Sequence, residues 1–138
     1  MDLNQKTIYS VSAKALIKNA NSELLLVKEH SDNWALPGGG IEQGESAEAA
    51  LRRELQEELN IVECKIVGLA GVFTYFAPVK NVWRMWLLYS VELPKYHTTS
   101  NGISTKEAAF INIKDFASSK TYAEQRIYQS AREAGIIV

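Results

Sequence analysis

A mixed β-sheet covered by helices on its faces is the fold this sequence predicts. Three observations point there: predicted strands outnumber predicted helices, one helix falls between strands, and a second lies near the end of the chain. Ile8 to Ile17 mixes apolar and small polar residues in loose alternation, and Leu24-Leu25-Leu26-Val27 is a short apolar run behind the turn signal Asn19-Ala20-Asn21-Ser22. These two segments read as a hairpin. Pro37-Gly38-Gly39-Gly40 reads as a loop, and a helix is expected from about Ser46 to Leu59, where Ala47, Leu51, Leu55 and Leu59 recur every four residues behind Ser46 as N-cap. Ile61 to Phe76 and Val82 to Leu93 are rich in β-branched and aromatic residues, and Pro78 to Asn81 offers a turn between them, so they form a long antiparallel pair. Ala108 to Ile113 supplies one more short strand. Tyr122 to Ala134 has helical composition, with Gly135 as its stop.

At 138 residues, 46% apolar and 22% charged, the chain fits one compact domain over residues 1–138 with a core of useful size. Fifteen basic against sixteen acidic side chains leave no global positive field, so a nucleic acid polymer is not the expected partner and a small molecule is. Cys64 has no cysteine to pair with, and its setting, Ile61-Val62-Glu63-Cys64-Lys65-Ile66, reads as strand rather than reactive loop. The polar start, Met1 to Lys6, leads into no signal-type apolar block, and no run reaches membrane-spanning length, so a cytoplasmic protein without membrane contact is expected. His30 and His97 stand far apart without metal-ligand spacing and read as surface or structural residues.

The chemistry gathers on the first helix. At 100° per residue, Glu54 and Glu58 stack one turn apart with Glu57 beside them, and all three lie only about a third of a turn from the apolar stripe of Leu51, Leu55 and Leu59. Carboxylates crowded at the border of a core repel one another and lose hydration, which is costly unless a proton or a cation compensates. A hard divalent ion is the natural remedy, and magnesium suits a partial oxygen cage open on one side because it keeps waters and shares its shell with substrate phosphates. Three consecutive glycines ahead of the helix let the backbone approach a ligand, presenting a carbonyl to a metal or the amides around Gly38 and Gly40 to a phosphate.

Gly39-x5-Glu45-x7-Arg53-Glu54-Leu55-Gln56-Glu57-Glu58-Leu59-Asn60-Ile61 resembles the Nudix box, which differs only in having glycine where Asn60 stands. The approach Trp34-Ala35-Leu36-Pro37-Gly38-Gly39-Gly40-Ile41-Glu42 is similar to the family's as well. The resemblance implies the family's α/β/α sandwich and a magnesium-dependent hydrolase, with manganese as a possible substitute, that cleaves a diphosphate linkage in a nucleotide-like substrate. It implies Glu54 and Glu58 as direct metal ligands, Glu57 as a further ligand or a base, and the Gly39 carbonyl as an additional ligand. Arg53 would orient the glutamates and Glu45 would tie loop to helix. A homodimer fits the family.

A diphosphate repels an incoming nucleophile, so the metal must neutralise charge and lower the pKa of an attacking water while a carboxylate takes its proton. Glu57 is one candidate base and Glu107, in Ser104-Thr105-Lys106-Glu107-Ala108, is another, as relatives that use a later glutamate suggest. Trp34, Tyr75, Phe76, Trp83 and Trp86 could stack on a base, with Trp34 the best placed because it precedes the glycines. Trp83 and Trp86 have opposite parity on one strand and must face opposite sides of the sheet. Tyr75 and Pro78 lie near two of the family's specificity markers without deciding between them. Asn60 should keep the family's helix stop, because asparagine visits the left-handed region readily, and its replacement by glycine should be neutral or mildly stabilising. A catalytically inactive nucleotide-binding or sensor module on the same fold is the alternative, and a purely structural domain with a charged helix is a further one; magnesium-dependent stabilisation would argue against the second.

Overall fold

The computed structural model describes residues 6–95 and 99–137, so the expectation for His97 lies outside the described residues. Six strands and two helices run in the order β1 (Tyr9–Leu16), β2 (Leu24–Lys28), β3 (Gly38–Gly40), α1 (Ala47–Leu59), β4 (Lys65–Ala77), β5 (Val82–Glu92), β6 (Glu107–Ile111), a 3₁₀ turn at Ile113–Ser118, and α2 (Tyr122–Glu133). Four strands make a mixed sheet in the order β3-β1-β5-β4, in which β1 and β5 run parallel and the other neighbours antiparallel.

Strand alternation sorts side chains to the two faces. Ala13, Ala15 and Ile17 pack with Leu51, Leu55 and Leu59 of α1, while Leu16, Phe73 and Leu88 pack with Ile127 and Ala131 of α2. The sheet is thus covered on both faces, as the sequence predicts. None of the helices among the described residues is long and apolar enough to cross a membrane.

Three expectations are corrected. The predicted hairpin of β1 and β2 exists only at its turn, where Asn19 Oδ1 accepts from the Asn21 and Glu23 amides at 3.0 and 2.9 Å and the Leu25 amide reaches the Ile17 carbonyl at 2.9 Å. Beyond that the strands part. Both edges of β1 are already taken by β3 and β5, so β2 pairs with β6 in a second, two-stranded antiparallel sheet. There its apolar run is used on both sides: Leu24 and Leu26 enter one core cluster, Leu25 the other. Second, the glycine segment is no loop, since Gly38 to Gly40 pairs antiparallel with Lys14 to Ser12. Third, Ile61 to Cys64 precedes the sheet instead of starting β4; Cys64 is half-buried there, its carbonyl held by Arg52 at 3.1 Å, and burial pushes its thiol up. The β4/β5 hairpin appears as predicted, turning at Pro78 to Asn81, where the Asn81 amide donates to the Pro78 carbonyl at 3.2 Å.

Candidate functional site

Helix α1 is started and stopped by its own sequence. Ser46 Oγ accepts from the Ala49 amide at 3.1 Å, and Asn60 takes the left-handed conformation, φ 55° and ψ 31°. Between those ends the glutamates diverge in their environments. Glu58 turns inward, 1% exposed, and its carboxylate accepts the Gly38 amide at 3.0 and 3.2 Å. Glu54 lies against Gly39, where a Cβ would stand 2.6 Å from its carboxyl carbon, so a side chain there would push the Glu54 carboxylate off the strand. Glu57 faces solvent with 58% of its side chain exposed and touches Arg53 at 3.5 Å.

Arg53 is the hub of this edge. Its Nε and NH2 grip Glu45 at 2.8 and 3.0 Å, NH1 donates to Glu54 at 3.0 Å, and NH2 also reaches the Gly40 carbonyl at 3.1 Å. The guanidinium fork holds Glu54 in one orientation and fastens the glycine strand to the helix. Hydrogen bonding from Arg53, then the Glu42 amide, pulls the Glu45 carboxyl down to about 2.

Glu58 is shifted in the opposite sense. Burial first, and the charge of Glu29 second, push its carboxyl well above the usual carboxylate range, against the pull of the Gly38 amide and of Lys14. Glu29 follows β2, with Oε2 accepting from Ser104 Oγ at 3.2 Å. Glu29 stands in no spacing relation to the helix and is not legible as a site residue in the sequence, whereas Lys14 carries one signal, a lysine inside an alternating apolar strand.

A buried carboxylate with one backbone partner and a second carboxylate lying against a glycine supply hard oxygen donors, and these residues fit a small hard divalent cation. Among the described residues, no three His, Cys, Asp or Glu side chains converge into a cation-binding group.

The other expected site residues are placed as follows. Glu107 begins β6 opposite Lys28, whose ammonium it pairs with at 3.6 Å, and it is 56% exposed. The same Lys28 lies 4.4 Å over the half-buried Trp34 ring. Phe73, Tyr75 and Trp86 form an aromatic group on the α2 face with centroids 5.3 to 5.7 Å apart, and the Arg126 guanidinium stacks 4.1 Å over Tyr75. Trp83 packs on the opposite face with Phe76 and Tyr9, at 5.4 and 6.2 Å, away from that group. His30 is exposed.

The C-terminal end of α1 has a feature the sequence did not announce. Ser100 and Gly102 donate their amides to the Leu59 and Glu58 carbonyls at 3.2 and 2.8 Å, and a Cβ on Gly102 would overlap the Glu57 carbonyl. Asn60 Nδ2 adds bonds to Ser100 Oγ at 2.9 Å and to the Asn101 carbonyl at 3.2 Å. A loop 40 residues downstream therefore closes the helix that carries the glutamates.

Known proteins resemble this chain in sequence and in fold. The chain is 32% identical over 107 residues, 69% of its length and 68% of the relative's, to an RNA pyrophosphohydrolase from Campylobacter jejuni subsp. doylei. It is 52% identical over 50 residues, 32% of this chain and 35% of the other, to the nucleoside triphosphatase NudI of Enterobacter sp.. The MutT protein from Methanosarcina mazei Go1 superposes with a TM-score of 0.71 at 22% identity, covering 93% of this chain and 96% of that one. The sequence profile of the NUDIX domain matches residues 8–132, from the approach to β1 into α2. With the match running through both sheets and both helices, the chain belongs to the NUDIX family and is a Nudix hydrolase.

Proposed function

We propose that the protein hydrolyses a diphosphate linkage in a small nucleoside diphosphate-X substrate, with magnesium, or manganese in its place, held by Glu54, Glu58 and the Gly39 carbonyl. The observation that carries this is Glu58: a carboxyl 1% exposed with a backbone amide as its hydrogen-bond partner is costly to ionise unless a cation compensates, and a bound cation is what would keep it a carboxylate there. When bound, the ion would supply charge neutralisation on the phosphates and a lowered pKa for the attacking water.

The chain's own residues do the rest. Arg53 fixes Glu54 and the Gly40 carbonyl, so the carboxylate edge is pre-organised before substrate arrives. Glu57, exposed and one turn along from Arg53, is positioned to take the proton of water as its oxygen attacks phosphorus. The P–O–P bond breaks in line and the leaving phosphate departs with the bonding electrons. Glu107, paired to Lys28 at 3.6 Å much as Glu57 is paired to Arg53 at 3.5 Å, is the alternative base.

A second reading, the same linkage at an RNA 5′ end, is supported by the name of the Campylobacter relative, whereas a net charge of −1 favours the free nucleotide. The deciding experiment is a panel assay with magnesium against chelator, covering dNTPs, oxidised dNTPs, ADP-ribose, nucleotide sugars, dinucleoside polyphosphates and 5′-triphosphorylated RNA. Metal-dependent release of phosphate or a mononucleotide from one class is expected. Nucleotide binding without turnover anywhere in the panel would favour the non-cleaving module instead.

A further inference from the structure

Lys14 is out of place for an ordinary lysine. It sits in the middle of β1, an interior strand, between Ala13 and Ala15, which are both fully buried, and in register with Gly38 on one side and the fully buried Leu88 on the other. Strand parity puts it on the α2 face with Leu16, so its stem lies along the sheet and its ammonium comes to rest 5.5 Å from the Trp86 centroid. There it reaches the Leu36 and Gly38 carbonyls, but only at 3.4 and 3.5 Å.

These contacts are long and an ammonium has three donors; Glu58, Glu29 and Glu54 act on it through their charge, but among the described residues none of them is close enough to form an ion pair with it. Gly38 meanwhile touches both sides of the site: its amide holds Glu58 and its carbonyl faces Lys14. Lys14 therefore stands at the junction between the carboxylate edge and the aromatic group of Phe73, Tyr75 and Trp86.

We propose that Lys14 is a substrate-binding residue whose ammonium takes an oxygen of the phosphate nearest the nucleoside, an inference that rests on the nucleoside diphosphate reading above. A substrate with its diphosphate at the carboxylates and its base against the aromatic rings has that phosphate where the two regions meet. A compact ammonium on a flexible stem binds phosphate as a point charge, and a phosphoryl oxygen supplies the short acceptor that the two backbone carbonyls do not. A purely structural lysine would instead be expected to stabilise the fold through close, short bonds.

The test compares wild type with Lys14→Met, which keeps the stem and deletes the charge, and Lys14→Arg, which keeps the charge. Each is titrated, with magnesium, with the four common nucleoside diphosphates and separately with the four nucleosides, followed by tryptophan fluorescence, and each is melted. Lys14→Met is expected to weaken diphosphate binding about tenfold or more, the scale of one charge-assisted hydrogen bond, with nucleoside binding unchanged and Tm equal or higher. Lys14→Arg should retain most of the affinity. Unchanged diphosphate binding in Lys14→Met, an equal loss for nucleosides, or a fall in Tm alongside the affinity would overturn the assignment. Failure of the wild type to bind any of the diphosphates would overturn the functional reading and this one with it, whereas tight wild-type binding that Lys14→Met preserves overturns this one alone.

Discussion

Arg53 and Glu45 are locked side by side, Nε to Oε2 at 2.8 Å and NH2 to Oε1 at 3.0 Å, and this pair joins the loop before α1 to the helix. Glu45 also receives the Glu42 amide at 3.0 Å. Its role is mechanical: it fixes the arginine that in turn fixes Glu54.

The pair makes a pH prediction. The folded pKa of Glu45 is depressed to about 2 from an ordinary 4.5, so the stability it contributes is fully present above about pH 4.5 and is lost as pH falls through 2. Glu45→Gln should therefore melt below wild type at pH 7, and the gap in Tm should close between about pH 4.5 and pH 2. A gap that stayed constant across that range would mean the charge on Glu45 does not matter to the fold.

Glu58→Gln separates folding from chemistry. The amide still accepts from Gly38 while the cost of a buried carboxylate disappears, so the metal-free variant should be at least as stable as wild type. Loss of a hard anionic ligand should lower turnover by orders of magnitude, and the rise in Tm expected of the wild type with magnesium should be absent. Full turnover in this variant would remove Glu58 from the site.

Water is the expected nucleophile, because among the described residues no serine, threonine or cysteine side chain is hydrogen-bonded to Glu54, Glu57 or Glu58. Hydrolysis in ¹⁸O-water should place one label in a phosphate product, read by mass spectrometry. A phosphorylated protein trapped during turnover would contradict the direct attack.

Much of this site is legible because it is local. Arg53, Glu54, Glu57 and Glu58 share one helix, whose period of 3.6 fixes their relative placement, and the opposite faces of Trp83 and Trp86 follow from a period of two. What escaped depends on distant pairing. Nothing in Leu24 to Lys28 says that β1 has no free edge, and nothing in three glycines says they will lie flat against Ala13 instead of looping. Glu29 and Lys14 reach the site through sheet packing, and Gly102 through a loop that meets α1 only after the chain has crossed the sheet.

Gly102 tests that last contact. Its amide bonds the Glu58 carbonyl at 2.8 Å, and any side chain there collides with the Glu57 carbonyl, which is backbone and cannot rotate away. Gly102→Ala should cost about 1–3 kcal/mol, the usual range for overpacking, and should lower turnover by displacing the helix end that carries Glu57 and Glu58. Denaturant unfolding checks the first part. A variant with wild-type stability would mean that the loop moves aside freely.

The departure from the family box at Asn60 carries the remaining prediction. The residue is left-handed, as its sequence position implies, so glycine would be tolerated by the backbone there and valine would not. Its side chain, however, also donates to Ser100 Oγ at 2.9 Å and to the Asn101 carbonyl at 3.2 Å, and this alters the expectation that glycine is neutral or mildly stabilising. Glycine removes these bonds and the longer one to the Ser100 carbonyl at 3.3 Å, each worth roughly 0.5–1.5 kcal/mol when well made and less at an exposed site, while gaining back a few tenths from relief of left-handed strain. Asn60→Gly should therefore be modestly less stable than wild type. Asn60→Val, which loses the same bonds and adds strain of about 1 kcal/mol or more, should be clearly worse. Amide hydrogen exchange gives the sharper reading: in Asn60→Gly the Ser100 and Gly102 amides, which cap the Leu59 and Glu58 carbonyls, should exchange faster while those of the middle of α1 are unchanged. If the glycine variant left both loop amides as protected as in wild type, the Asn60 side chain would be a helix stop alone, and the tie between loop and helix would rest on Gly102.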